Sequence, residues 1–150
     1  MVKNILLILR FLIAGIFIVS GFEKAFGPSE NFLYVLQAYD FLPDSLEKLA
    51  SVVFPWVELG IGVFLALGLW TRLAFVGLAC MSGSLILVVG QAIMRHLPID
   101  DCGCFGSLIH LPIQGVIFLD ITMFISAVFS LKNISAVRRF SLDHYFDKNV

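Results

Sequence analysis

The fold is decided by residues 73–94, LAFVGLACMSGSLILVVGQAIM, which carry no charged side chain and stand between Arg72 and Arg95. An α-helix rises about 1.5 Å per residue, so this stretch forms a helix about 33 Å long. The hydrocarbon core of a bilayer is about 30 Å thick and takes about 20 mainly apolar residues to cross. Residues 73–94 therefore predict a transmembrane helix.

Three further windows of the same kind lie on either side of this stretch, each with a single charged residue inside it: Arg10, Glu58 and Asp120. Irregular backbone is excluded from lipid, and no alternating ten-residue pattern indicates a barrel. We predict an all-α fold, an integral membrane four-helix transmembrane bundle that forms one domain over residues 1–150. The predicted spans lie near residues 4–22, 51–69, 73–94 and 111–131, followed by an amphipathic tail at 132–150 on the inner surface.

The composition supports this fold and excludes several classes of protein. The chain is 59% hydrophobic and 14% charged, with a mean hydropathy of +0.97, whereas soluble domains are about 45–50% apolar and about 25% charged. A soluble globule would have to expose a large apolar surface. The net charge is -1, so there is no basic face for a nucleic acid. The lipid bilayer is the expected surrounding.

The distribution of Lys and Arg predicts the orientation, because cytoplasmic ends carry an excess of both. Both termini are then cytoplasmic, and the loops 23–50 and 95–110 face outward. The run near residues 4–22 is too long for a signal peptide and lacks a cleavage site, so we expect it to be kept as a helix. The predicted inner side carries six Lys and Arg residues and the outer side carries three: Lys3, Arg72, Lys132, Arg138, Arg139 and Lys148 against Lys24, Lys48 and Arg95.

Local signals predict the connections between the spans. Apolar residues recur at helical spacing between Pro28 and Pro43, which is typical of a short helix at the outer interface. Asp44 with Glu47 three residues later indicates a capping box that leads into the second span. The loop 69–72 is very short, so spans two and three form a tight antiparallel hairpin. Glycines on spans one and two permit close helix approach: Gly15, Gly21, Gly60, Gly62 and Gly68.

Cys102 and Cys104 lie in the outer loop, separated by Gly103. Two such cysteines along a bent chain fall within reach of a disulfide, and glycine permits the bend. A small, strained and exposed disulfide is of the labile, catalytic kind, and the outward side is where disulfides persist. The pair is therefore the candidate catalytic site.

Other interpretations of the cysteines remain open. The pair is alternatively a structural disulfide or two free thiols. It could also be half of a metal site completed by His96 or His110, although the spacing does not indicate a metal. Cys80 lies in the third span among apolar residues, which favours a small packing residue in the core.

The charged residues inside the spans form a second group of candidate functional residues. A charge near the bilayer centre is costly and normally pairs or lines a polar cavity. Arg10 is within reach of Glu58 or Asp120 for a buried ion pair, which serves either helix register or a functional pocket. Glu58, Gln91 and Asp120 are the candidate residues for binding a membrane quinone, although no motif supports such a cofactor.

The pattern as a whole resembles a known family. The DoxX-like membrane proteins share the helical residues, and the cysteine string is similar to their MauE branch, the methylamine-utilisation protein and its redox-associated relatives. The resemblance implies a four-span protein of the bacterial inner membrane that handles disulfides outside the cytoplasm alongside a thioredoxin-like partner, with Cys102 and Cys104 as the redox pair. It rests on Arg10, Gly15, Ser20, Gly21, Lys24, Glu58, Leu59, Gly60, Gly62, Leu65 and Gly68, and on residues 101–106.

Three functional hypotheses follow. The leading one is a thiol–disulfide oxidoreductase that exchanges disulfides with a periplasmic thioredoxin-like protein or a disulfide-containing client. The alternative is a non-catalytic membrane subunit or scaffold that anchors partner proteins in a complex or oligomer, with the cysteine pair as a clamp. A small-molecule transporter is the third, motivated by the charges within the spans.

Overall fold

The computed structural model describes residues 2–27, 29–39, 43–95, 113–137 and 142. Within these ranges every regular element is an α-helix, which confirms the predicted all-α fold. The helices are α1 (Val2–Phe26), α2 (Ser29–Ala38), α3 (Asp44–Leu67), α4 (Thr71–Met94), α5 (Ile113–Lys132) and α6 (Ile134–Val137).

Four of these helices are long and apolar enough to cross a membrane: Asn4–Phe26, Ser45–Leu67, Thr71–Met94 and Gln114–Lys132. All four predicted spans are thus confirmed, although α3 begins several residues before residue 51. The surface of the bundle carries large apolar side chains, among them Ile8, Leu87 and Phe118. Such a surface is stable against lipid but not against water. The protein is a four-span membrane protein.

The long helices form two closely packed pairs, α1 with α3 and α4 with α5. The short helix α2 packs on α3, and α6 packs on α1. Because the long helices alternate in direction, one end of the bundle carries α2, the last turn of α4 and the first turn of α5. We call it the α2 end, and the opposite end the α6 end.

The core is apolar at both ends of the bundle. A large cluster is centred on Leu65, Phe75, Leu78 and Ala127, none of which is exposed. A smaller cluster at the α2 end joins Tyr39 to three side chains of α4 and α5: Val89, Ala92 and Val116. The predicted helix before Pro43 is therefore present, and the residue that follows it packs against the bundle.

The connection between α3 and α4 is the tight hairpin that the sequence predicts. Gly68 ends α3 in the left-handed region at φ 67°, and its N–H donates to the carbonyl of Phe64. Trp70 also has a positive φ, 47°, and α4 begins at the next residue. Glycine adopts this backbone conformation without a steric penalty, which explains its use at the end of α3.

The N-cap of α3 lies one residue before the cap that the sequence predicts. Pro43 is the N-cap, and its carbonyl accepts hydrogen bonds from the N–H groups of Leu46 and Glu47. Asp44 is already the first helical residue, so the predicted capping box with Asp44 as the cap is wrong. Proline satisfies the position because its own φ is fixed and it has no N–H group to leave unpaired.

Two glycines set the distance between α1 and α3. A Cβ atom on Gly21 would lie 2.6 Å from the backbone nitrogen of Leu59, and one on Gly62 would lie 2.8 Å from that of Ile18. Gly15 and Gly60 have no neighbouring atom within 4 Å of such a Cβ. The predicted close approach is therefore confirmed for Gly21 and Gly62, and wrong for Gly15 and Gly60.

These contacts predict that Gly21→Ala lowers the free energy of unfolding by about 1–3 kcal/mol, because the added methyl group forces the α3 backbone away. Gly60→Ala is the matched control on the same pair of helices. It is expected to be neutral or to stabilise by up to about 1 kcal/mol, since alanine loses less backbone entropy in a helix. Unfolding in mixed detergent and dodecyl sulfate micelles measures both. Equal midpoints for Gly21→Ala and the natural chain would contradict the assigned helix contact.

Candidate functional site

A buried ion pair joins the end of α1 to the middle of α3. The Nζ atom of Lys24 lies 2.8 Å from Oε2 of Glu58, and their side chains are 5% and 9% exposed. The same Nζ donates to Oγ of Ser20 at 2.9 Å. An ammonium with two oxygen partners at these distances compensates much of the cost of its burial.

Local sequence explains how this pair forms. Ser20 and Lys24 are four residues apart, so both lie on one face of α1. Gly21 lies between them and lets the backbone of α1 approach Leu59, the residue after Glu58. The predicted pairing of Arg10 with Glu58 is therefore wrong, because the register of α1 against α3 gives Glu58 to Lys24.

Asp120 faces the same region from α5. It is 5% exposed, and its Oδ2 atom has no hydrogen-bond partner among the described residues. Asp120 lines a cavity with Ser20, Lys24 and Glu58, and the remaining walls are apolar and come from all five helices α1–α5. We call this the polar cavity. It brings together two of the three residues that the sequence proposed for a pocket, Glu58 and Asp120.

Tyr39 is a second buried polar group near Asp120. Its side chain is buried and its hydroxyl has no hydrogen-bond partner among the described residues. Burial raises the pKa of Tyr39 to about 12, and the negative charge of Asp120 contributes a smaller increase. The phenol therefore stays protonated at neutral pH and keeps a hydrogen to donate.

The polar cavity is small. Its volume is about 40 Å³, which is enough for one or two water molecules, whereas a cavity that takes up a benzene ring measures about 150 Å³. A quinone ring therefore does not fit within the cavity in this conformation. Gln91, the third residue considered for a quinone, lies in the last turn of α4 and is not among the residues that line the cavity.

Arg10 serves the opposite end of the bundle. It is 1% exposed, and its guanidinium donates to the carbonyl oxygens of Leu65, Ala66 and Val137. The first two belong to the last turn of α3, where carbonyls have no partner within the helix. Arg10 thus closes the end of α3 and holds α6 against α1.

The candidate redox residues Cys102 and Cys104 lie outside the described residues, as do His96 and His110. The chain that holds them leaves α4 at Arg95 and rejoins the fold at α5, so both of its attachments are at the α2 end. Within the described ranges, no group of three or more His, Cys, Asp and Glu residues is placed to hold a metal ion.

Cys80 is not the core residue that the sequence predicts. It is a free cysteine on the exposed surface of the bundle. Its position follows from the register of α4, in which Leu78 and Met81 face the core. In a membrane this surface faces lipid, where a small apolar thiol is well tolerated.

The spans predicted from sequence leave Lys24 in the outer loop, although the family resemblance includes it, and they do not assign Tyr39 to the buried polar group. Lys24 follows an apolar run and is indistinguishable in sequence from a loop lysine that marks the end of a span. The available signal was its spacing of four from Ser20, which places both on one face of α1. Tyr39 belongs to the apolar pattern between Pro28 and Pro43, and such a pattern does not reveal where a hydroxyl group lies.

The fold and the polar cavity define a class: a multi-pass membrane protein with charged groups buried between its helices. The family is more specific. The sequence model of methylamine utilisation protein MauE matches residues 2–132, which covers most of the chain, and the chain belongs to the MauE family. No curated protein and no solved structure matches the chain.

Proposed function

We propose that the protein is a membrane-embedded thiol–disulfide redox protein whose Cys102-Gly103-Cys104 segment exchanges disulfides on the periplasmic face of the bacterial inner membrane. Its partner is a thioredoxin-like protein or a client that contains a disulfide. The observation that carries this proposal is the Cys-Gly-Cys string in a chain of the MauE family. The distribution of Lys and Arg supports the outward position of the string.

The proposed reaction is a balanced exchange. A partner thiolate attacks one sulfur of the Cys102–Cys104 disulfide and forms a mixed disulfide, and the displaced sulfur leaves as a thiolate. The second thiol of the partner then attacks the mixed disulfide. The partner ends as a disulfide, Cys102 and Cys104 end as two thiols, and the two protons of the partner pass to them. The reverse direction oxidises the pair at the expense of a partner disulfide.

The first test is a trapping experiment. With Cys104→Ser the mixed disulfide on Cys102 has no neighbouring thiol to resolve it, so we expect a covalent adduct on non-reducing gels that a reductant removes. Mass spectrometry of the adduct identifies the cysteine pair and the partner. Cys80→Ser is the matched control and is expected to change nothing, since Cys80 lies in the middle of α4 on the outer surface of the bundle. If Cys104→Ser and Cys102→Ser both trap no partner, the exchange mechanism is refuted.

The competing hypothesis is a static clamp on a scaffold protein. Labelling with a membrane-impermeant maleimide in intact cells distinguishes the two. An exchanging pair is labelled in part and responds to the supply of oxidant, whereas a clamp stays unlabelled until a reductant opens it. The same labelling, applied to intact and permeabilised cells, reports which side of the membrane carries the pair.

A further inference from the structure

We propose that the polar cavity is a hydrated proton-binding site, in which Asp120 takes up and releases one proton that exchanges with the aqueous phase at the α2 end. This site is separate from the cysteine pair. Beyond the proposed function, the protein then has a carboxyl group inside the bundle that binds and releases a proton.

The first support is the balance of charge. Lys24 and Glu58 neutralise each other at 2.8 Å, which leaves Asp120 as the remaining acidic group that lines the cavity. A lone carboxylate with an unpartnered oxygen is costly in an apolar interior, and it is neutralised by a proton more readily than it stays charged. The buried charges thus require one further positive charge, and a proton supplies it.

The second support is the set of groups that face Asp120. The ionisable ones are Lys24 from α1, Glu58 from α3 and the Tyr39 hydroxyl, which follows α2. The cavity residues of α4 are Met81 and Leu85, which do not ionise. The Lys24 ammonium is already engaged with Glu58 and Ser20. Among the described residues that line the cavity, Lys24 is the one cation, so none there serves Asp120 alone.

The third support is room for water and a short route to the surface. The cavity volume of about 40 Å³ accommodates one or two waters, which need two to four polar partners each. Asp120, Lys24 and Ser20 supply them. Asp120 lies seven residues into α5, about 10 Å from the α2 end at the rise of a helix. Tyr39 packs in the same cluster as Val116, one turn before Asp120, and it interacts electrostatically with Asp120, so its hydroxyl is placed to relay a proton.

Infrared difference spectroscopy on the purified full chain in lipid nanodiscs tests this proposal. We expect a carbonyl stretching band of a protonated carboxyl group that titrates with pH and shifts in heavy water within the time of buffer exchange. Asp120→Asn removes this band. Glu47→Gln changes a buried carboxyl group outside the cavity and leaves the band in place. The double Cys102→Ser/Cys104→Ser variant also leaves the band in place, which distinguishes this site from the thiol chemistry.

A second pair of variants covers the case in which Asp120→Asn fails to fold. Tyr39→Phe removes a buried hydroxyl that interacts electrostatically with Asp120 and is expected to shift the midpoint pH of the band. Tyr34→Phe, at an exposed tyrosine, leaves the midpoint unchanged. The proposal is overturned if the band survives Asp120→Asn, or if Tyr39→Phe leaves the midpoint as unchanged as Tyr34→Phe does. It is also overturned if added sodium removes the band at constant pH, because that result would assign the cavity to a metal cation.

Discussion

Lys24→Met is expected to lower the free energy of unfolding by about 3–5 kcal/mol, the usual cost of removing one partner from a buried ion pair. Lys24 is the salt-bridge partner of Glu58, at 2.8 Å, and only 9% of the Glu58 side chain is exposed. The methionine fills the space of the lysine stem but leaves the Glu58 carboxyl group buried without its cation, so that it either stays charged at a cost or takes up a proton. The loss therefore reports the missing ion pair, with little contribution from altered packing.

A double-mutant cycle separates the ion pair from other effects of the substitution. Lys24→Met combined with Glu58→Leu removes both charges, so the double variant is expected to lose less stability than the two single losses added together. Lys48→Met, at an exposed lysine near the start of α3, is the control and is expected to change the free energy of unfolding by less than about 0.5 kcal/mol. Unfolding in mixed micelles measures the natural chain and these four variants. Additive losses would show that the pair contributes nothing as a pair.

The fold could be predicted from the sequence because the bilayer imposes one strong requirement on each span. Four windows of about 20 apolar residues leave few alternatives to four helices. The 22 residues after Arg72 have no charge at all, and α4 occupies them within two residues of the prediction. Helix starts were less predictable, since α3 continues into polar residues that extend beyond α1 at the α2 end.

The pairing of the buried charges could not be predicted, because it depends on how far α1 slides along α3. Counting residues from the ends of each span treats the two helices as level. The contacts of Gly21 with Leu59 and of Gly62 with Ile18 instead offset them. This offset brings Lys24 to Glu58 and Arg10 to the last turn of α3. A sequence contains the glycines but does not state which residues they face.

The polar cavity was predictable in part. Acidic residues inside a span indicate a polar site by their cost alone, and this argument correctly singled out Glu58 and Asp120. It gives no information on the size of the site, which is about 40 Å³ in this structure. It also does not reveal Tyr39, whose position depends on how α2 folds back on the bundle.

Arg10→Met is expected to have an effect of similar size at the opposite end, about 3–5 kcal/mol in the free energy of unfolding. Hydrogen bonds from a charged donor contribute about 1.5–3 kcal/mol each, and two of those made by Arg10 are buried, at 2.8 Å to Leu65 and 2.9 Å to Val137. Methionine leaves both carbonyl oxygens without this donor, and the interior around them is apolar.

The location of this loss distinguishes Arg10 from a general contributor to packing. Hydrogen exchange of the backbone amides is expected to rise in α6, because Arg10 joins the carbonyl of Val137 to the end of α3. Exchange near Lys24 and Glu58 stays unchanged. Arg10→Lys keeps the charge but lacks the planar fork, so it recovers part of the stability at most. Arg72→Met, at an exposed arginine near the same end, is the control. If α6 stays protected in Arg10→Met, the guanidinium does not hold it, because α6 then packs on α1 without help from the carbonyl bonds.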